Sequence, residues 1–407
     1  MRLTKICRQL TGVESLYAHD LRITDEGLVF VVRPRWHRPR CGRCGARAPV
    51  HDHRRERLWR HLAVGASVLW LAYAPRRVSC PQCGVRTEQV PWARHNSRFT
   101  RALEELVAYM AQVMDKTAVT RLQGISWRSV SAIVERVVTE RLGEERLTGL
   151  RVIGVDEFSY RKRQRYLTVV VDHERGRVVW AAEGRGAAAL AGLFKHIGEP
   201  GCAQIKAATI DMAGGYKKAI REHLPNAQVV FDRFHVQRLA SDAVDAVRRA
   251  EVEAHKGTQA ASAVKRSRYA LLKRPWNMRR SEHQKLSDIQ VNNRRLYRAR
   301  LLNDALADAL DYRQPKRARE ALEAWLAWAS RSKLAPFVRV ARTIRAHKEG
   351  ILAYIHTRLT NGFVEGINNR LRMIARRAYG FHSPQALAAM LFLCKGGIEL
   401  DPPLPTH

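Results

Sequence analysis

The chain has 407 residues, 46% of them hydrophobic, which is too long for one ordinary core and predicts two or three folded domains. Lys and Arg total 72 against 38 Asp and Glu, a formal charge of +34, and such an excess opposes compaction unless a polyanion offsets it. A solvated basic surface accounts for a few surplus cations but not for an excess spread over the whole length, so nucleic acid is the expected partner.

No stretch reaches the roughly 18 consecutive apolar residues of a membrane helix. The most apolar one, Val64 to Ala74, runs into Arg76 and Arg77, and no signal-peptide pattern opens the chain. Seven cysteines, four of them in two close pairs, make poor material for a disulfide framework and fit a reducing cytoplasm.

Those pairs are Cys41-Gly-Arg-Cys44 and Cys80-Pro-Gln-Cys83, each followed by a glycine, Gly45 or Gly84, that lets backbone amides turn toward sulfur. Four thiolates suit one tetrahedral structural zinc, whereas a redox CxxC needs only a single pair. Between them Arg57-Leu58-Trp59 and the alternating Val68 to Tyr73 read as strands leading from one knuckle to the other, as in a zinc ribbon. His51, His53 and His61 are either substitute ligands or surface residues, and Cys7, Cys202 and Cys394 read as ordinary buried thiols. Residues 1–95 are therefore expected to form a zinc-ribbon DNA-binding module.

From Phe99 to Leu142 helix formers dominate, and Leu103, Leu106, Val107, Met110, Val113 and Met114 recur at helical spacing as a core stripe. A short helix from Asp115, a break at Gly124 and Ser126 as N-cap of a second helix follow, with Trp127, Val130, Ile133, Val134 and Val137 facing inward. This grammar, over 96–148, is that of a helix-turn-helix or a plain helical hairpin. In the first reading Arg128, Ser129 and Ser131 face a DNA groove or its phosphates.

At Arg151 the pattern changes. VIGVDEF is an apolar strand, YLTVVVDHERGRVVWAAEG a hairpin, Ala187 to Ile197 a helix, ATIDM a strand, Tyr216 to His223 a helix, and AQVVFDRFH a last strand. Three antiparallel strands followed by strands alternating with helices is the order of an α/β RNase H-like fold, in which acidic residues leave adjacent strands side by side. Asp156 and Asp211 occupy those exits, and Glu157 alternates to the other face of its strand. Neighbouring carboxylates raise each other's pKa and are stabilised by cations, with oxygen donors selecting magnesium or manganese. Taken singly, Asp156 reads first as a strand-end acceptor and Asp211 as a helix N-cap, and the same holds for Glu365, farther downstream, as a solvated first-turn residue.

A third acid lies far downstream in NGFVEGINNRLRMIARRAYGF. As a helix, this segment puts Val364, Ile367, Leu371 and Ile374 inward and Glu365, Asn369, Arg372 and Arg376 on another face. The Arg-rich stretch between His235 and Asn361 is too long for a loop and reads as an all-helical insertion over 239–355. In it Trp276, Trp325 and Trp328 are expected in the core rather than stacked on bases, and Arg274, Arg279, Arg280, Arg294 and Arg295 at phosphates. The catalytic fold is thus expected as 149–238 plus 356–400, with 401–407 a Pro-rich frayed tail.

GVDEFSYRKRQRYLTVVVD, ATIDMAGGYKKAI, PNAQVVFDRFHV and NGFVEGINNRLRMIARRAYGF together resemble the bacterial transposases of the ISL-three insertion-sequence family, over nearly the whole chain and in the same order. The resemblance implies a zinc ribbon and helix-turn-helix that bind terminal inverted repeats, an Asp, Asp, Glu triad on Asp156, Asp211 and Glu365 holding two divalent ions, and a supporting pair in Asp232 and His235. It also implies cleavage and strand transfer, at least a dimer on DNA, and a bacterial, nucleoid-associated location. An inert DNA-binding regulator or a nuclease without strand joining are the other functions compatible with these motifs.

Overall fold

The computed structural model describes residues 3–161, 165–212, 215–359, 362–377 and 383–402, without the side chains of residues 160, 161, 165, 363–365, 368, 371 and 375–377. The chain divides into two units, Met1–Gly143 with Arg372–His407, and Glu144–Leu371.

In the first unit a helix, α1 (Leu3–Thr11), precedes seven strands: β1 (Leu16–Thr24), β2 (Gly27–Pro34), β3 (Val50–His53), β4 (Arg57–Arg60), β5 (Leu69–Tyr73), β6 (Arg76–Cys80) and β7 (Gly84–Thr87). β1 and β2 form a hairpin whose return begins at Gly27, with φ 125°; a Cβ there would lie 2.1 Å from the Val68 carbonyl oxygen. The close approach lets β5 lie parallel to β2, giving a four-stranded sheet of order β1-β2-β5-β4. Leu16, Phe30, Trp59, Leu69 and Leu71 bury against Trp92, whose indole meets Trp59 and Tyr73 edge-on at 5.8 and 5.6 Å.

The strands expected from Arg57-Leu58-Trp59 and Val68 to Tyr73 are thus present as β4 and β5, but they do not join the knuckles. Their apolar side chains bury against the N-terminal hairpin, and the ribbon's own sheet is β3-β6-β7.

Three helices follow, α2 (Arg101–Val113), α3 (Lys116–Gln123) and α4 (Trp127–Arg141). The side chains of Asp115 and Ser126 accept from the Ala118 and Ser129 amides at 2.9 and 3.1 Å, and Gly124 ends α3 in the left-handed conformation. Val130, Ile133, Val134 and Val137 are buried as expected; Trp127 is half-buried, and Val113, at the end of the α2 stripe, is exposed. The C-terminal helix Pro384–Lys395 packs on α2 and α4, with Gln112 Nε2 donating to the Leu393 carbonyl at 2.7 Å. The segment 356–400, read from sequence as one piece, is therefore divided at Leu371/Arg372.

A buried ion network ties α2 and α4 to the segment before them. Arg94 reaches Glu104 at 3.1 Å, Glu105, and Glu140 at 3.0 Å, while Arg136 and Arg141 approach Glu104 and Glu105 from α4. Glu104 is fully buried and also accepts from Ser97 Oγ at 2.7 Å.

The second unit opens with β8 (Val152–Arg161), β9 (Arg165–Asp172) and β10 (Arg177–Glu183), then α5 (Ala187–Gln204), β11 (Ala207–Ile210), α6 (Tyr216–His223) and β12 (Gln228–Phe231). They form one sheet of order β10-β9-β8-β11-β12, antiparallel from β10 to β8 and parallel from β8 to β12. Among the described residues only helices follow: α7 (Arg233–Ala254), α8 (Gln259–Lys265), α9 (Arg268–Leu272), α10 (Arg280–Asn292), α11 (Arg294–Asp311), α12 (Pro315–Arg331), α13 (Ala335–Ala346), α14 (Lys348–Thr357) and α15 (Gly362–Arg377). One core runs from the sheet through α5 and α6 into α7, α11, α12, α13 and α14. α14 covers β12; a Cβ on its Gly350 would stand 2.4 Å from the Phe231 ring, so the bare backbone permits that approach and screens the sheet edge. Of the expected tail, residues 403–407 lie outside the described residues.

Removing one partner of a buried ion network leaves charge uncompensated, at a cost of about 3–5 kcal/mol. Arg94→Ala is therefore expected to lower the unfolding free energy by about 3 kcal/mol, read as a shift in denaturant midpoint of the full chain; an unchanged midpoint would show the network to be dispensable.

Candidate active site and metal centre

Strand register brings the acids together. β11 pairs with β8 as Ala207↔Val152, Ala208↔Ile153 and Thr209↔Gly154, and the same offset carried onward sets Asp211 opposite Asp156. β11 pairs with β12 up to Ile210↔Phe231, so the next residues, Asp211 and Asp232, are also abreast. Three carboxylates thus stand in a row where the parallel ladders end: Asp211 and Asp232 directly follow β11 and β12, whereas Asp156, expected at a strand exit, lies within β8, which runs on to Arg161 because β9 continues to pair with it. This is the edge at which open α/β sheets expose side chains to ligands.

His235 lies on the first turn of α7 and bridges the row. Its Nδ1 is 3.2 Å from Asp232 Oδ2, and its Nε2 is 3.7 Å from Asp211 Oδ2. The hydrogen bond to Asp232 raises the imidazole pKa; burial opposes this, and the charges of Asp211, Asp232 and Asp156 add to the rise. Asp232 is buried, whereas Asp211 and His235 stay partly open to solvent. Asp156 accepts from the Glu157 amide at 2.6 Å.

Glu157 belongs to different surroundings, beside Tyr216. Burial pushes that phenol up to about 12; hydrogen bonds from Thr168, with its Oγ1 2.8 Å from the Tyr216 oxygen, and from the Gly186 backbone oppose the rise, and the Glu157 carboxylate adds to it. Glu365 occupies the first turn of α15, and its side chain and that of Arg376 lie outside the described residues. Asn369 and Arg372 on the same helix are exposed.

Among the expected DNA contacts, Arg128, Arg279, Arg280, Arg294 and Arg295 are exposed, and Ser129 is held by Ser126 at the start of α4. Ser131 is engaged internally, accepting from Lys116 Nζ at 2.9 Å. Arg274 is committed to Asp308 and Asp311 at 2.8 and 2.9 Å. Of the three tryptophans expected in the core, Trp325 is buried with its indole donating to the Leu302 carbonyl, Trp328 is 37% exposed, and Trp276 is 74% exposed. Trp276 sits on a turn rather than a helix face, so no packing stripe draws it inward.

The second site is sulfur-based. The Sγ atoms of Cys41, Cys44, Cys80 and Cys83 all lie within 4.8 Å of one another. Tetrahedral zinc with bonds of about 2.3 Å needs sulfurs about 3.8 Å apart, so the donor set fits that ion. Burial raises the Cys41 thiol, but hydrogen bonds from the Cys44 and Arg43 amides and from neighbouring sulfurs outweigh it and bring the group down to about 7. Gly45 and Gly84 adopt φ of 74° and 71°, completing the two knuckles. His51 and His53 are exposed on β3 and outside this cluster, while His61 is buried between Thr100 Oγ1 and the Leu10 carbonyl, which removes it as a ligand or a surface residue. Cys7 and Cys202 are buried thiols, raised by burial, and Cys394 is half-buried.

Similarity to known proteins follows the same order along the chain. Residues 37–83 match the zinc finger of the transposases of IS204, IS1001, IS1096 and IS1165, 88–138 the helix-turn-helix domain of transposase family ISL3, and 153–391 the DDE transposase model of that family. The chain is 36% identical to the transposase for insertion sequence element IS1557 of Mycobacterium tuberculosis, covering 98% of this chain and 96% of that protein. To the transposase for insertion sequence element IS1001 of Bordetella parapertussis it is 31% identical, over 85% and 86% of the two chains. The ribbon match and the four-cysteine cluster support a structural zinc ion, and the helix-turn-helix match supports DNA binding. By these matches over nearly its full length, the chain belongs to the ISL3 family of insertion-sequence transposases.

Proposed function

We propose that Asp156, Asp211 and Glu365 are the catalytic carboxylates of an RNase H-like domain whose strand-bearing part, 149–238, is separated from α15 by a helical insertion over 239–355. The observation that carries this reading is the row of Asp156, Asp211 and Asp232 set by strand register, with His235 bridging its last two members. The sheet order β10-β9-β8-β11-β12 agrees with that fold, since its first strand lies centrally between an antiparallel pair and a parallel pair.

Carboxylate oxygens crowded at one edge fit hard divalent ions, magnesium or manganese. Two such ions, when bound, activate the attacking oxygen and stabilise the leaving one during in-line displacement at phosphorus. The chain's own groups hold and orient them: Asp156 and Asp211 face each other across β8 and β11, and Asp232 anchors His235 against Asp211. Arg372 and Arg376, on α15 with Glu365, neutralise phosphate oxygens of the DNA strand. Arg128 and Ser129, at the exposed start of α4, read the terminal inverted repeats, and the zinc ribbon fixes the first unit's basic surface against the same duplex. Holding both element ends at once calls for at least two copies on DNA.

Strand transfer with end DNA of the parent element tests the triad. Wild type is expected to join ends, whereas Asp156→Asn binds the same DNA and joins none. Normal joining by that variant refutes the assignment, cleavage without joining by wild type marks a nuclease, and binding with neither marks an inert regulator. Light scattering of the end-bound complex is expected to give the mass of two or more chains; a strict monomer refutes paired-end assembly. Elemental analysis is expected to find one zinc per wild-type chain and its loss in Cys44→Ser, with lowered thermal stability of the first unit; full retention of zinc by the variant removes Cys44 from the ligand set.

A further inference from the structure

Pro275–Asn277 forms one 3₁₀ turn between α9 and α10 and displays Trp276 to solvent, 74% exposed. Single exposed aromatic residues are common on protein surfaces; this one is held in place. Before the turn Lys273 pairs with Glu282 at 2.7 and 2.9 Å, and Arg274 pairs with Asp308 and Asp311. The Arg274 guanidinium then lies over the indole, 5.2 Å from the ring centre, and polarises it.

The turn is also tied to the acidic row. Asp311 receives Arg274 on one carboxylate oxygen and Arg233 on the other, at 2.9 and 2.5 Å, and Arg233 directly follows Asp232. Phe234, next in sequence, is 57% exposed. A continuous path of Asp232, Arg233, Asp311 and Arg274 therefore links the edge of the acidic row to Trp276. Arg279 and Arg280, exposed just beyond the turn, add positive charge beside it.

We propose that Trp276 is a stacking platform for an unpaired nucleobase of the DNA whose phosphodiester lies at the acidic row. A base drawn out of its duplex loses its stacking partners, and an aromatic face replaces them whatever the base, while nearby guanidinium groups hold the backbone. The ion pairs of Lys273 and Arg274, just before the turn, fix the indole in advance, so little side-chain freedom is lost on binding. The placement of the base rests on the acidic row being the catalytic centre; its binding does not.

The test uses the full chain and a duplex oligonucleotide carrying one unpaired 2-aminopurine, beside the fully paired duplex of the same sequence. Wild type is expected to quench the 2-aminopurine on binding. Trp276→Ala is expected to lose the quench and bind the unpaired DNA about tenfold more weakly, while binding the paired duplex as wild type does. Trp276→Phe is expected to restore most of both, and circular dichroism melts should coincide because the ring is exposed. Equal binding and quenching by Trp276→Ala overturns the proposal, as does an equal loss on both DNAs. A lower protein mass for Trp276→Ala in DNA-free light scattering, with quenching intact, makes the patch an interface between copies and likewise overturns it. Asp156→Asn is expected to keep the quench, so failure of the metal assignment and failure of the stacking proposal give different results.

Discussion

Parallel hydrogen bonding of β11 between β8 and β12 is the constraint on which the second unit turns. A slip of one residue in either ladder would send an aspartate to the opposite face, because side chains alternate along a strand. The observed offsets instead put Asp156, Asp211 and Asp232 abreast. Three neighbouring carboxylates repel, and the protein distributes that strain unequally. Asp232 is buried and bonded to His235, whereas Asp211 remains accessible to solvent. Under the proposed function, the surplus of Lys and Arg elsewhere is the charge that brings a polyanion to an acidic edge.

Much of this was legible in the residues. Short apolar runs bounded by turn residues marked β8 to β12, and a periodicity of two in each strand separated Asp156 from Glu157. Helix boundaries at Asp115, Gly124 and Ser126 were readable because caps are local chemistry: one side-chain oxygen meets one orphan amide. The four thiols were legible for a similar reason, since each pair is adjacent in sequence and only the meeting of two pairs is long-range.

What escaped was long-range or depended on a missing partner. β2 and β5 are about forty residues apart and pair in parallel, and no local pattern states which strand β5 should join, so local sequence assigns β4 and β5 to the ribbon. Trp276 was assigned to the core by its hydrophobicity, but the ion pairs of Lys273 and Arg274 that fix its turn involve residues on α10 and α11. His61 read as a surface residue because its acceptor and donor, on Leu10 and Thr100, lie far along the chain. Nothing in the segment after Arg372 signals that its helix, Pro384–Lys395, packs on α2 and α4 rather than on the sheet.

That last helix has a consequence for how the protein is made. The faces of α2 and α4 that it covers are synthesised more than two hundred residues earlier and wait, uncovered, while the whole second unit emerges from the ribosome. The buried network around Arg94 can form early, since all its members lie between Arg94 and Arg141. The first unit is thus assembled in two stages. Its gene segment is correspondingly discontinuous, so exchanging it for that of a relative by recombination takes two crossovers, one at each end of the second unit.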